Sequence, residues 1–285
     1  MSKTIADCHL SLAYRLGEST APGSTTELAK RLNWFKKPIE QVCDTDRPMW
    51  FMKEKGSNST VASTNTYAFP ADWRQTIQLK IDGYKHKKIA AEDVYKKYET
   101  PNSPVPILSS FQSRAYYEFG TDYVVIPTPS STPSASSVTS ITSVATVCTV
   151  TQATHGYVSG DFVTIAGAVE TAYNGKFEIT VTGVNTYTYT SSSTPSATPA
   201  TGTLTATKDN INIWYYKKPT LPTSTASGIV LPDEYEDLLV SYAEGRYWSS
   251  AHKRGKAADA FAEYESWVEK ITKENIRHSF GEQET

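Results

Sequence analysis

Residues 154–190 read THGYVSGDFVTIAGAVETAYNGKFEITVTGVNTYTYT, and their period is two. Phe177, Ile179 and Val181 alternate with polar neighbours, as do Tyr187 and Tyr189, and upstream so do Val144, Thr146, Cys148 and Val150. Successive side chains of a strand point to opposite faces, so alternation of β-branched and aromatic residues reads as half-buried strands. His155-Gly156, Ser159-Gly160, Asn174-Gly175 and Val184-Asn185 supply the turns between the runs. The spacing predicts antiparallel strands over about 143–152, 161–167, 176–183, 186–191 and 202–207, which is a small all-β sandwich or barrel.

Composition marks the edges of this unit. Residues 128–207 hold 33 Ser or Thr in 80 positions but only four charges, Asp161, Glu170, Lys176 and Glu178, although the chain carries 58. Thr128–Ser137 and Ser191–Pro199 are Ser/Thr/Pro-rich and read as extended, solvated linkers with nothing to pack. An inserted β-domain is therefore expected over 133–207, inside a host made of 1–132 and 208–285.

The host has a different grammar. Residues 3–16 and 24–43 read as helices, the second from the stripe Leu28, Leu32, Phe35, Ile39 and Cys43. Ser24 and Glu27 have capping-box spacing, and Pro38 is expected to kink or end the helix. Residues 66–70, 75–81, 84–90, 114–119 and 123–127 read as strands, with Asp82-Gly83 a type I′ hairpin signal. With the insert excised, 123–127 and 210–216 become consecutive strands of one antiparallel meander, which places the insert at a hairpin tip. From Leu231 onward an amphipathic pattern gives a helix hairpin, about 233–252 and 256–277, with Gly255 at its turn. The fold class expected is α+β: a helical bundle of N-terminal helices and a C-terminal helix hairpin, an antiparallel β-meander, and an inserted Ig-like sandwich or barrel.

Bulk properties exclude several classes. The 285 residues have a formal net charge of −2, which excludes a generally basic nucleic-acid coat. No apolar run approaches the roughly 18 residues of a membrane span, and Met1–Asp7 opens no signal peptide. Cys8, Cys43 and Cys148 are odd in number and far apart, so neither disulfides nor a zinc pair is expected, in keeping with a reducing cytoplasm. The near-neutral total hides regions: 1–132 sums to +3, while 233–285 sums to −5.

Three elements, in order, together with the insert, carry a family resemblance. A helix with Leu32-Asn33 leads to Trp50, and Tyr67-Ala-Phe-Pro-Ala-Asp72 runs into strands with Ile126-Pro-Thr-Pro129 and Trp214-Tyr-Tyr216. Leu231-Pro-Asp-Glu234 opens the C-terminal helices, and residues 141–207 are similar to a small β-domain found as an accessory insert in tailed-phage structural proteins. The chain so resembles the head-to-tail adaptor (connector) proteins of tailed bacteriophages. The resemblance implies a non-enzymatic virion protein of the neck, assembled in the host cytoplasm. It would form a homo-oligomeric ring, usually about twelve copies, between the portal protein and a tail or nozzle protein. Double-stranded DNA would pass through without sequence readout, and no membrane, cofactor or metal is implied.

The residues nominated for these roles are few. Tyr242, Tyr247, Trp248, Tyr264 and Trp267 exceed what one helical stripe can bury; surplus helix aromatics are enriched at interfaces, so these five, with Phe261 of the stripe, read either as local core or as an interface to the portal or another partner. Lys85, Lys87, Lys88, Lys96 and Lys97 form a basic cluster suited to DNA phosphates or an acidic partner. The alternative function is a virion surface-binding or decoration protein that recognises host glycan or capsid through its insert. It would need Tyr157, Tyr173, Tyr187 and Tyr189 exposed. Asp233, Glu234, Glu236 and Asp237 read as helix-dipole partners rather than a catalytic cluster. Ser250-Ala-His-Lys253 lacks the companion motifs of a Ser/Lys nucleophile, and His155-Gly156 reads as a turn. A muralytic enzyme would need two carboxylates in a cleft, and no pair stands out.

Overall fold

The computed structural model describes residues 3–21, 23–45, 47–92 and 114–281. They form a mixed α/β protein with four helices and mainly antiparallel sheets. The chain divides into a helical unit, Met1–Glu54 with Asp72–Gln75 and Tyr216–Thr285, and a β unit, Lys55–Ala71 with Thr76–Tyr215.

In the helical unit, α1 (Ile5–Leu16) begins where the Thr4 N–H and hydroxyl both donate to the Asp7 carboxylate, at 2.7 and 2.8 Å. It ends at Gly17, whose φ of +78° a side chain would resist. Helix α2 (Thr25–Cys43) departs from two expectations. Ser24 makes no side-chain cap; Glu27 faces Arg31 and Lys30 instead, at 3.4 and 3.7 Å. Pro38 neither ends nor breaks the helix, which runs on to Cys43. The reason is packing: Trp34, Pro38 and Val42, spaced by four, are all buried beside Phe35 and Ile39, and that burial offsets the one lost backbone bond.

The C-terminal pair is α3 (Glu236–Ser250), entered through a short 3-10 turn at Asp233–Tyr235, and α4 (Arg254–Gly281). Their reversal is not at Gly255, which lies in the first turn of α4. His252 carries it, with a φ of +55°. The pair packs closely because Gly245 leaves room for the Phe261 ring: a Cβ there would sit 2.7 Å from it. The chain start is tied to this pair. The Ile5 N–H donates to the Ser227 carbonyl at 2.9 Å, and the Lys3 N–H to Asp233 at 2.9 Å. One apolar core joins all four helices through Cys8, Leu12, Phe35, Ile39, Tyr235, Leu238, Leu239 and Ile271.

In chain order the strands are β1 (Lys53–Asn58), β2 (Thr66–Ala68), β3 (Trp73–Ile81), β4 (Tyr84–Lys88), β5 (Ala115–Phe119) and β6 (Asp122–Ile126), and after the insert β15 (Ile211–Lys217). They make a seven-stranded sheet ordered β1-β15-β3-β4-β5-β6-β2. The Asp82-Gly83 turn has both φ values positive and pairs Ile81 with Tyr84, as a type I′ hairpin requires. Two expectations fail. β4 and β5 are parallel, so the sheet is not a simple meander. β6 and β15 are also not neighbours: β5 and β2 occupy both edges of β6, while β15 sits between β1 and β3 with Ile211, Ile213 and Tyr215 buried. The insert therefore does not stand at a hairpin tip; it lies on a crossover.

The insert is two four-stranded sheets around one core. One is β11-β10-β14-β7, built from Gly175–Glu178, Phe162–Ala168, Gly202–Lys208 and Ser136–Ser137. The other is β12-β13-β9-β8, built from Thr180–Gly183, Thr186–Thr190, Val147–Thr151 and Ser140–Val144. The expected run 143–152 is cut at Ala145, with a φ of +53°. The run 176–183 is cut at Ile179, where the chain passes from one sheet to the other. Nor are the low-complexity edges free linkers. Ser136 and Ser137 pair with Ala206 and Thr205, Pro195 and Ser191 are buried, and the Ala197 carbonyl accepts from Tyr173 at 2.8 Å.

Both ends of the insert meet the loop after β1. Thr60 Oγ1 donates to the Ser131 carbonyl at 2.8 Å, and the Ala62 N–H donates to Thr132 Oγ1 at 2.9 Å. On the other side the buried Asp209 accepts from the Ser57 and Ser59 hydroxyls, both at 2.7 Å, and from Lys176 at 2.7 Å. Asn210 bonds Thr60 and Asp82 at 2.8 and 3.0 Å.

Candidate interaction surfaces

The six nominated aromatics all lie on α3 and α4, and all are half-buried rather than exposed. The helix pair groups most of them by edge contacts. Tyr242 meets Phe261 and Tyr264 at 5.8 and 5.1 Å, and Tyr247 meets Trp248 at 5.0 Å. Three of them have further partners within the unit. Tyr264 donates to Gln41 at 2.9 Å, and burial pushes its phenol up to about 12. Trp248 donates to Glu244 at 3.1 Å and lies under Lys256, while Trp267 lies under Lys270, with ammonium-to-ring distances of 4.2 and 4.5 Å. The rings thus contribute to the packing of the helical unit, with Trp267 also against Tyr235 at 6.2 Å, while each stays partly accessible. Beside them, Arg15 of α1 gathers three acids: Glu263 in a two-bond fork at 2.8 and 2.9 Å, Asp237 at 2.8 Å and Glu244 at 3.4 Å. The guanidinium holds the Glu263 carboxyl below its ordinary range.

The acids at the start of α3 are engaged structurally. Asp233 accepts from the Lys3 backbone, and Glu236 accepts from the Lys3 ammonium and, at 2.6 Å, from Ser11. Ser250 donates to the Tyr247 carbonyl at 2.7 Å, as the last turn of a helix often does. Among the described residues no group of three His, Cys, Asp or Glu is placed to hold a metal ion, and no helix is long and apolar enough to cross a membrane.

The basic cluster divides by strand parity. Lys85 and Lys87 share one face of β4; His86 and Lys88 take the other, where His86 is buried and Lys88 pairs with Glu118 at 2.6 Å. Lys96 and Lys97 lie outside the described residues. The face of Lys85 and Lys87 holds more than the linear sequence suggested. Lys80 stands directly across from Lys85, and its ammonium lies 5.2 Å from the Trp214 ring. The signal was present: a two-residue Asp-Gly turn fixes register, so Lys80 had to face Lys85.

The insert tyrosines do not form an exposed platform. Tyr173, Tyr187 and Tyr189 are buried in the insert core and Tyr157 is half-buried against Tyr187. Tyr187 donates to Gln152 at 3.0 Å and Tyr189 to the Tyr173 carbonyl at 2.9 Å, so their hydroxyls are satisfied inside. His155 braces the turn, accepting from the Tyr157 N–H at 3.0 Å.

No family model matches the chain, and no curated protein matches it. Among solved structures it is similar to "Phage phi92 endosialidase", at 24% identity over 27% of this chain, with a TM-score of 0.23. The match spans 12% of that chain's length, and a likeness of this extent brings neither activity nor assembly to the present protein.

Proposed function

We propose that the protein is a structural head-to-tail adaptor, forming an oligomeric ring between a portal and a tail and continuing the DNA channel. The observation that supports this most is in the helical unit. Leu32, Trp50 and Leu231, which belong to widely separated motifs of the resemblance, contribute to one core. Asp233 of the Leu231–Glu234 motif receives the start of the chain. That core presents a helix pair with an aromatic rim, a shape suited to docking in a groove of a partner ring. The glycan-binding alternative loses its best candidates, because its tyrosines fill the insert core.

The test is imaging of the purified full chain by negative-stain microscopy, alone and mixed with the portal of the same virus. Rings, or extra density at one end of the portal, are the expected result. Protein that stays monomeric and never joins the portal overturns the proposal.

A further inference from the structure

The seven-stranded sheet carries a lysine face. Lys80 and Lys85 are a direct cross-strand pair, and like charges so placed destabilise a sheet. Lys87 follows on the same face two residues along β4. The stems of the three lysines leave the sheet about 5 Å apart across the strands and about 7 Å apart along one. None of the three forms an ion pair among the described residues. The Trp214 indole, with Lys80 at 5.2 Å and Lys55 at 5.7 Å, borders the row. Lys55 is already partly neutralised by Glu178 at 3.7 Å. A repulsive row with no paired acid among the described residues is what a polyanion would relieve.

We propose that Lys80, Lys85 and Lys87 form a binding face for the phosphate backbone of a nucleic acid. Lysine is a point charge on a flexible stem, which suits a row of phosphates read without sequence. A sugar ring would need an open aromatic face, and Trp214 is half-buried between two lysines. This inference deepens the adaptor reading, whose channel carries DNA, and its test needs neither a ring nor a portal, so the two can fail separately.

The experiment is fluorescence anisotropy of a labelled duplex oligonucleotide of arbitrary sequence, titrated with the full chain across a salt series. Three phosphate contacts give a slope of log K against log salt of about −2.7, and a single strand of the same length about −2.1. Lys87→Gln is expected to shallow the duplex slope by about 0.9, and the triple variant Lys80→Gln/Lys85→Gln/Lys87→Gln to abolish it. Lys88→Gln, on the opposite face, keeps the wild-type slope. Circular dichroism checks that the triple variant is folded; if it is not, Lys87→Gln decides alone. Binding that Lys87→Gln leaves unchanged, no binding at low salt, or stronger binding of dextran sulfate at equal charge overturns the proposal.

Discussion

Replacing Arg15 by Met should loosen the helical unit, and the size of the effect follows from the contacts. The methionine stem keeps the packing but removes a guanidinium shared by Asp237, Glu244 and Glu263. A bidentate charged pair contributes about 1.5–3 kcal/mol when sheltered, whereas exposed pairs contribute about 0–1. The Arg15 side chain is 27% exposed and that of Glu263 is 40% exposed, so screening brings the total to about 2 kcal/mol. For a unit of this size that is a fall in Tm of about 5–8 °C. The pH dependence has a definite sign. Arg15 lowers the folded pKa of Glu263, so its contribution is present above the ordinary carboxyl value of 4.5 and is lost as pH falls through the depressed one. In the variant three carboxylates crowd one another, and acid relieves them. The gap between wild type and variant, followed by circular dichroism melting, should therefore be widest near neutral pH and close below about pH 4. Arg15→Lys should restore only part of it, because lysine lacks the fork. A variant that melts with the wild type at neutral pH, or a gap that persists unchanged into acid, would refute the reasoning.

Other expectations are simpler to check. Gly245→Ala gains about 1 kcal/mol of helix propensity but puts a methyl 2.7 Å from the Phe261 ring, so a net loss of about 1–2 kcal/mol is expected in chemical denaturation. His9 is buried with neither ring nitrogen partnered among the described residues, and burial, with Arg31 nearby, lowers its pKa to about 4. It folds neutral, so stability should be full above pH 6.5 and decline toward pH 4; His9→Phe should flatten that decline in a pH series of melts. Gly167→Ala, where a Cβ would lie 1.9 Å from the Thr203 carbonyl oxygen, should unfold the insert while the helical melt survives. Replacing 127–210, the whole connection from β6 to β15, by a two-residue turn should prevent folding, because the flanking strands stand four places apart in the sheet, about 19 Å, and a connection of roughly six or more residues is needed.

What the sequence disclosed follows from how local each signal is. The Asp82-Gly83 hairpin, the alternating strands of the insert and both terminal helix pairs depend on neighbours in sequence, and periodicity finds such elements. The place of β15 between β1 and β3 depends on partners about 150 residues away, and no local pattern encodes it. Pro38 misled for the same reason, since what sustains the helix there is the burial of Trp34 and Val42. The Ser/Thr/Pro edges looked unpackable because hydroxyl-rich chain lacks apolar periodicity. They are held instead by single hydrogen bonds to buried tyrosine and backbone. Among the site residues, Lys85 and Lys87 were visible as a charge run, whereas Lys80 and Trp214 joined them only through register.

The crossover occupied by the insert sets an order on folding. A chain emerging from the ribosome delivers β1 early and β15 only after the whole insert, so β1 waits unpaired for its neighbour while about 150 residues are made. Half of the insert's own pairings join neighbouring strands and the rest span at most about 70 residues, so they carry less loop-closure entropy than β1 with β15 and the insert can close first. Once closed, it brings the strands on either side of it nearer in space than an unfolded connection would. Asp209 and Asn210 can then dock on Ser57, Ser59 and Thr60 and set β15 into its slot. The β-domain that looks like an appendage is, in kinetic terms, the splint on which the central sheet is completed.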